Sequence, residues 1–167
     1  MKLRFIRTIQ KILSQSYRIN ERNKISAAAT SFSGKDVIYL LTPDRFANSD
    51  LGNDNVKRLT EQSDRTSKGG RHGGDIQGII DNLGYIEEMG FTQIWPNPMI
   101  ENNQSNYSYH GYSATDFYKI DERFGSNKLY QTLSKSVQLH GLGLIKDVVL
   151  NHIGDQHWWL KDLPTND

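Results

Sequence analysis

The chain has 167 residues, no cysteine and a formal net charge of +1. That length holds one ordinary domain with a real core, and the lack of cysteine excludes disulfides and thiolate metal sites. No apolar run approaches the roughly 20 residues needed to cross a bilayer, so no membrane span is expected.

The near-neutral total hides an asymmetry. Residues 1–35 carry eight Lys or Arg against Glu21 alone, whereas residues 36–167 carry twelve against eighteen acids. Met1 to Gln15 (MKLRFIRTIQKILSQ) begins like a secretory signal, but Arg7 and Lys11 interrupt its apolar stretch and no small-residue cleavage site follows closely. A signal peptide is not expected, and localisation is left open. Phe5, Ile6, Ile9, Ile12 and Leu13 fall at helical spacings and predict a basic amphipathic helix. Such a helix suits a membrane surface or nucleic acid, or is an orphan with no partner in this chain. Ser26 to Gly34 (SAAATSFSG) reads as a linker, which places a boundary near residue 35.

The apolar run Val37 to Leu41 predicts a strand stopped by Pro43. Asn48 to Gly74 is polar and glycine-containing, a long loop of the kind that carries function. Asp75 then caps a helix, because Ile76, Ile79, Ile80, Leu83, Ile86 and Met89 recur at three- and four-residue intervals before Gly90. Phe91 to Trp95 predicts a second strand ending at Pro96, and Ile100 to Phe124 a second loop, rich in Tyr and Asn. Ser126 caps a second helix through Leu129, Tyr130, Leu133 and Val137, stopping at Gly141. A third strand follows within GLIKDVVLNHIGDQHWW, Gly143 to Trp159. Its apolar residues give way to Asn151, His152, Asp155, His157, Trp158 and Trp159, so functional groups gather at its carboxyl end.

Strands alternating with helices, and long loops after the strands, imply right-handed crossovers and a parallel sheet. This is the layout of a (β/α) barrel or a doubly wound sheet. No internal repeat, P-loop, dinucleotide fingerprint or serine nucleophile elbow is present.

Three groups of residues invite chemistry, each with a plain structural alternative. Asn48, Asp50, Asn53 and Asp54, with Gly73-Gly74-Asp75 closing the loop, offer the oxygen ligands a calcium ion takes, or form an Asx-rich turn that caps itself. Tyr107, Tyr109, His110, Tyr112, Phe117 and Tyr118 offer aromatic faces and polar edges to a sugar, or pack against one another. Nucleic-acid stacking would need basic interleaving. Only Lys119 and Arg123 lie near, so no nucleic acid is expected. His152 and His157 are poorly spaced for zinc.

Read together, YLLTPDRFANSD, GGDIQGIIDNLGYIEEMGFTQIWPNP, YHGYSATDFYKIDERFGS and DVVLNH resemble the α-amylase superfamily, glycoside hydrolase family 13. The likeness is strongest to its cyclomaltodextrinase and neopullulanase members and covers about residues 36 to 167. The resemblance implies a partial (β/α)8 TIM barrel of about three strands, α/β in class, preceded by the basic helix and linker. It implies calcium held by Asn48, Asp50, Asn53, Asp54, Gly73 and Asp75. It also implies an α-glucan or cyclodextrin gripped by Tyr112 and His152, with His110 and Trp95 as further contacts and Asp147 as support. Members of the family hydrolyse α-glucosidic bonds with retention, through carboxylates placed after strands four, five and seven. None is expected in this chain.

Roughly fifty residues per strand–helix unit would put eight units near 400 residues, above the roughly 250 of a minimal barrel. The expectation is therefore a fragment of a longer parent enzyme, with a homodimer among its expected states and YRINERN (Tyr17 to Asn23) as the exit from a preceding domain. Open sheet edges would leave it marginally stable. A noncatalytic, calcium-dependent glucan-binding module is the alternative expectation.

Overall fold

The computed structural model describes residues 2–6, 12–16 and 32–162. Two compact units emerge, residues 1–31 and 32–167.

In the first unit, β1 (Lys2–Ile6) pairs antiparallel with β2 (Ile12–Ser16). This corrects the predicted basic helix. The register sets Phe5 opposite Leu13 and Ile6 opposite Ile12, so four of the residues that mimic a helical period take facing positions on two strands. An isolated helix of about 15 residues is marginal in water, and pairing supplies contacts that it lacks. YRINERN and most of the linker lie outside the described residues.

The second unit is built on a parallel three-stranded sheet in the order β3 (Ile38–Leu41), β4 (Gln93–Pro96), β7 (Gly143–Leu144). The register aligns Tyr39 with Ile94 and Leu144 on one face, and Leu40 with Trp95 on the other. The first face packs on helices through a core that includes Ile76, Ile79, Leu83, Ile86, Leu133 and Val137. The second leaves Leu40 and Trp95 exposed. This is the partial α/β barrel expected, open among the described residues.

Helix capping follows the sequence. After the short α1 (Pro43–Phe46), α2 (Ile76–Asp81) starts at Asp75, whose carboxylate accepts the Gly78 N–H at 2.6 Å. The expected single helix is split, however, into α2 and α3 (Leu83–Glu88). Asn82 donates its side-chain amide to the Gly78 carbonyl at 2.7 Å, competing with the helical ladder at the break. Ser126 caps α4 (Asn127–Leu139) by accepting the Leu129 N–H.

Two other expectations change. The second loop contains an antiparallel ladder, β5 (Ile100–Glu101) with β6 (Asp116–Ile120), and a 3₁₀ turn, Ser108–His110. The third strand is short. Gly143 donates to Thr92 and Ile145 to Ile94, but the next rung needs an N–H at position 96, and Pro96 has none. Beyond it the chain is unpaired, leaving Val148 41% and Leu150 87% exposed.

Candidate functional site

The carboxyl ends of β4 and β7 and the Ser108–Tyr112 turn meet at one carboxylate. Trp95, on the open face of β4, donates its indole N–H to Asp147 Oδ2 at 3.1 Å. The Tyr112 hydroxyl donates to the same oxygen at 3.0 Å. His152 Nε2 lies 2.8 Å from the Tyr112 carbonyl, and because a carbonyl only accepts, Nε2 carries the proton. His110 Nδ1 accepts the Tyr112 N–H at 2.9 Å, and the two rings stack with centroids 5.8 Å apart. Trp95, His110, Tyr112, Asp147 and His152, all expected at a sugar site, are therefore joined in one network.

The backbone makes this geometry compulsory. Gly111 has φ +82°, and a Cβ there would lie 2.0 Å from the Pro98 carbonyl oxygen. Only glycine lets the chain turn against Pro98 and present His110 and Tyr112 side by side. Asn97 adds a 3.4 Å bond from its amide to the His110 carbonyl.

Electrostatics follow from the packing. Burial, then the bond to Asp147 and its negative charge, raise the Tyr112 hydroxyl above its ordinary pKa. Burial holds His110 below the usual imidazole value and so favours the neutral ring that accepts from Tyr112, while the charge of Glu61 opposes this. Tyr112 and Trp95 remain 36% and 37% exposed. The result is an amphipathic platform with aromatic surface, a rim of donors and acceptors and one carboxylate, suited to a ring that is apolar on its face and hydroxylated at its edge.

Trp158 and Trp159 form a separate half-exposed cluster with Phe117 and the fully buried His157. His157 accepts the Trp159 N–H at 3.1 Å and so starts the 3₁₀ turn Trp158–Leu160.

The first loop pairs its Asn and Asp residues two by two. Asn48 donates to Asp54 at 2.7 Å and Asn53 to Asp50 at 3.4 Å. Their amide oxygens, Asn48 Oδ1 and Asn53 Oδ1, are buried without a partner. A Cβ at Gly73 would lie 2.4 Å from Asp54 Oδ1, so the loop closes tightly at that glycine. Two buried, unpartnered amide oxygens, each on a residue bonded to a carboxylate, are the kind of acceptor a hard cation takes. Asp75 is engaged differently, since its carboxylate accepts from Ser49, Asp50 and Gly78 N–H groups. Among the described residues no three His, Cys, Asp or Glu side chains gather as a metal cluster. A cation here would therefore depend on the amide oxygens.

A buried ionic network beneath these loops escaped the motif reading. Arg123 holds Asp121 with two bonds at 2.9 and 2.7 Å and donates to the Glu61 and Asn102 carbonyls. Arg71 sits on the Phe124 ring, 3.7 Å from Asp44, and reaches Ser108. The signal was present in charged residues interleaved with core positions, Asp121 and Arg123 beside Ile120 and Phe124.

The family description "Alpha amylase, catalytic domain" matches residues 12–166. The chain is 41% identical over 121 residues to the β/α-amylase of Paenibacillus polymyxa, an alignment covering 72% of this chain and 10% of that protein. It is 37% identical over 131 residues to neopullulanase 2 of Thermoactinomyces vulgaris, covering 76% and 21%. The crystal structure of an Anoxybacillus α-amylase superposes with a TM-score of 0.68 at 42% identity, covering 76% of this chain and 26% of that one. The chain thus spans between a tenth and about a quarter of the length of these relatives. With the four sequence motifs, the parallel strands and the family match in agreement, the chain belongs to the α-amylase catalytic-domain family, glycoside hydrolase family 13.

Proposed function

We propose that this chain is the sugar-gripping portion of a retaining α-glucan hydrolase of the α-amylase and cyclomaltodextrinase type. The observation that carries the reading is the convergence of Trp95 and Tyr112 on one oxygen of Asp147, with His152 bonded to the Tyr112 backbone. Tyr112 supplies the surface under a glucosyl ring, while Trp95, His110 and His152 offer polar edges around it. Asp147 fixes the two aromatic side chains.

Retaining hydrolysis needs two carboxyl groups about 5 to 5.5 Å apart. The network contains the single carboxylate of Asp147, whose Oδ2 already accepts two hydrogen bonds. Binding is accordingly assigned to residues 36–167, and the nucleophile and acid to neither loop. A calcium ion held by Asn48, Asp50, Asn53, Asp54 and the Gly73 backbone would supply charge that fixes the first loop. Asp75 fastens the same loop through its N–H bonds.

The test is a calorimetric titration of the 167-residue chain with maltooligosaccharides in calcium, beside an assay for released reducing sugar. Binding at millimolar affinity or better, lost in Tyr112→Ala, with no turnover, is expected. Turnover that Tyr112→Ala abolishes would overturn the assignment of binding without catalysis, and absence of binding would overturn the sugar site.

A further inference from the structure

A second opening is lined by Tyr107, the residue just before the Ser108–His110 turn. Glu61, Gln62, Asp64 and Ser67 of the first loop face Asn106 and Tyr107 of the second around a cavity of about 220 Å³. It opens to solvent and has room for far more than one water.

The cavity is built rather than left over. Among the described residues Tyr107 is the one non-glycine with positive φ, at 57°, a conformation costly for a bulky side chain. Glu61 holds it there, accepting the Tyr107 N–H at 3.2 Å and the Ser108 N–H at 2.6 Å. A Cβ at Gly69 would lie 2.2 Å from the Tyr107 ring, so the aromatic rests directly on glycine backbone. The opposite rim is clasped by Asp64 N–H to the Arg71 carbonyl at 2.9 Å and by Gly70 N–H to Ser67 at 3.1 Å. Despite these constraints the Tyr107 side chain remains 60% exposed. Strain held by a dedicated carboxylate, aiming an exposed aromatic at a polar cavity, marks a place where fold stability yields to binding.

We propose that this cavity is a second glucan-binding site, taking one neutral glucosyl unit against the Tyr107 ring. Ser67, Gln62 and Asn106 offer hydroxyl and amide partners to sugar hydroxyls. Glu61 and Asp64 give the lining negative charge, which selects an uncharged sugar over a uronic or phosphorylated one. The inference rests on the α-glucan reading given above for Tyr112.

The test follows backbone amide resonances of the full chain during titration with maltotriose. Gly69, Gly70 and Tyr107 should shift with an affinity distinct from that of Gly111 and Tyr112. In Tyr107→Asn, whose new side chain tolerates the left-handed backbone, the Gly69 and Gly70 response should weaken at least tenfold while Gly111 and Tyr112 still respond. Tyr107→Gly provides the same readout with the backbone strain relieved. If Gly111 and Tyr112 shift but Gly69 and Tyr107 do not, the second site is refuted and the α-glucan reading stands. If no amide shifts, both fall.

Discussion

Trp95 and Tyr112 donate to the same oxygen, Oδ2 of Asp147, at 3.1 and 3.0 Å. The residues come from β4 and from the turn after Gly111, so one carboxylate ties a strand and a separate turn to the segment after β7. Two donors on one charged acceptor make strong, directional bonds. In Asp147→Asn both donors face a neutral and weaker acceptor, the amide oxygen. We expect maltotriose affinity to fall about tenfold. The Tyr112 hydroxyl should also titrate at lower pH than in the unaltered chain, because the negative charge that helped raise it is gone. The burial contribution stays, so the value should remain above that of a free tyrosine. Difference absorbance of the phenolate between the two proteins checks this; an unchanged titration would break the link between Asp147 and Tyr112.

Gly111 tests the same site through the backbone. An alanine there combines φ +82° with a Cβ 2.0 Å from the Pro98 oxygen. The cost should exceed the roughly 1 to 2 kcal/mol of the left-handed conformation alone. We expect Gly111→Ala to lower the denaturation midpoint and to reduce sugar binding more than its stability loss explains, since His110 and Tyr112 move together. Chemical denaturation and sugar titration at a temperature where the variant stays folded separate the two effects.

The parts of this arrangement that were legible in the sequence are those set by local chemistry. Asp75 and Ser126 cap helices because their side chains reach an N–H three residues on, and the same short range lets a motif locate Tyr112 or His152. What escaped was decided at longer range. The spacing of Phe5, Ile6, Ile12 and Leu13 fits a helix as well as facing strands, and only the pairing register distinguishes them. The break at Asn82 is a local exception, since its amide takes the Gly78 carbonyl four residues back where the helical periodicity alone predicts an unbroken ladder. The shortness of β7 depends on a proline in its neighbour, β4. Glu61 gave no motif signal at all, because its partners, the Tyr107 and Ser108 amides, lie more than forty positions away.

Calcium should stabilise the first loop by linkage. An ion at a hundredfold excess over its Kd adds about 2.7 kcal/mol, which is several degrees in Tm. We expect a thermal shift with calcium, reversed by chelator. The shift should be absent in the double variant Asn48→Ala, Asn53→Ala, which removes the two orphaned oxygens. Differential scanning calorimetry with magnesium as the control ion reads the effect. An equal shift in the double variant would place the ion elsewhere.

Acid stability should report the buried pair Asp121–Arg123. Burial pushes the Asp121 carboxyl upward, but the bonds from Arg123, the charges of Arg123 and Arg71 and the Asn102 N–H outweigh it, leaving the folded pKa below the ordinary value. A carboxylate with a depressed folded pKa stabilises the protein above its unfolded pKa of about 3.9, and that contribution disappears as pH falls through the folded value. Asp36 acts in the same window. Bonds from Gln93, the Ser33 N–H and Thr92 hold it at about 2. Unfolding free energy should therefore drop below about pH 4, and Asp121→Asn should flatten that limb while lowering stability at neutral pH. Arg123→Met strips the partner from a fully buried carboxylate. It should cost about 3 to 5 kcal/mol at neutral pH and less in acid, where Asp121 takes up a proton. Urea denaturation at pH 7 and pH 3.5 measures both. A cost from Arg123→Met that is the same at the two pH values would show that Arg123 stabilises the loops through its bonds to the Glu61 and Asn102 carbonyls rather than through Asp121.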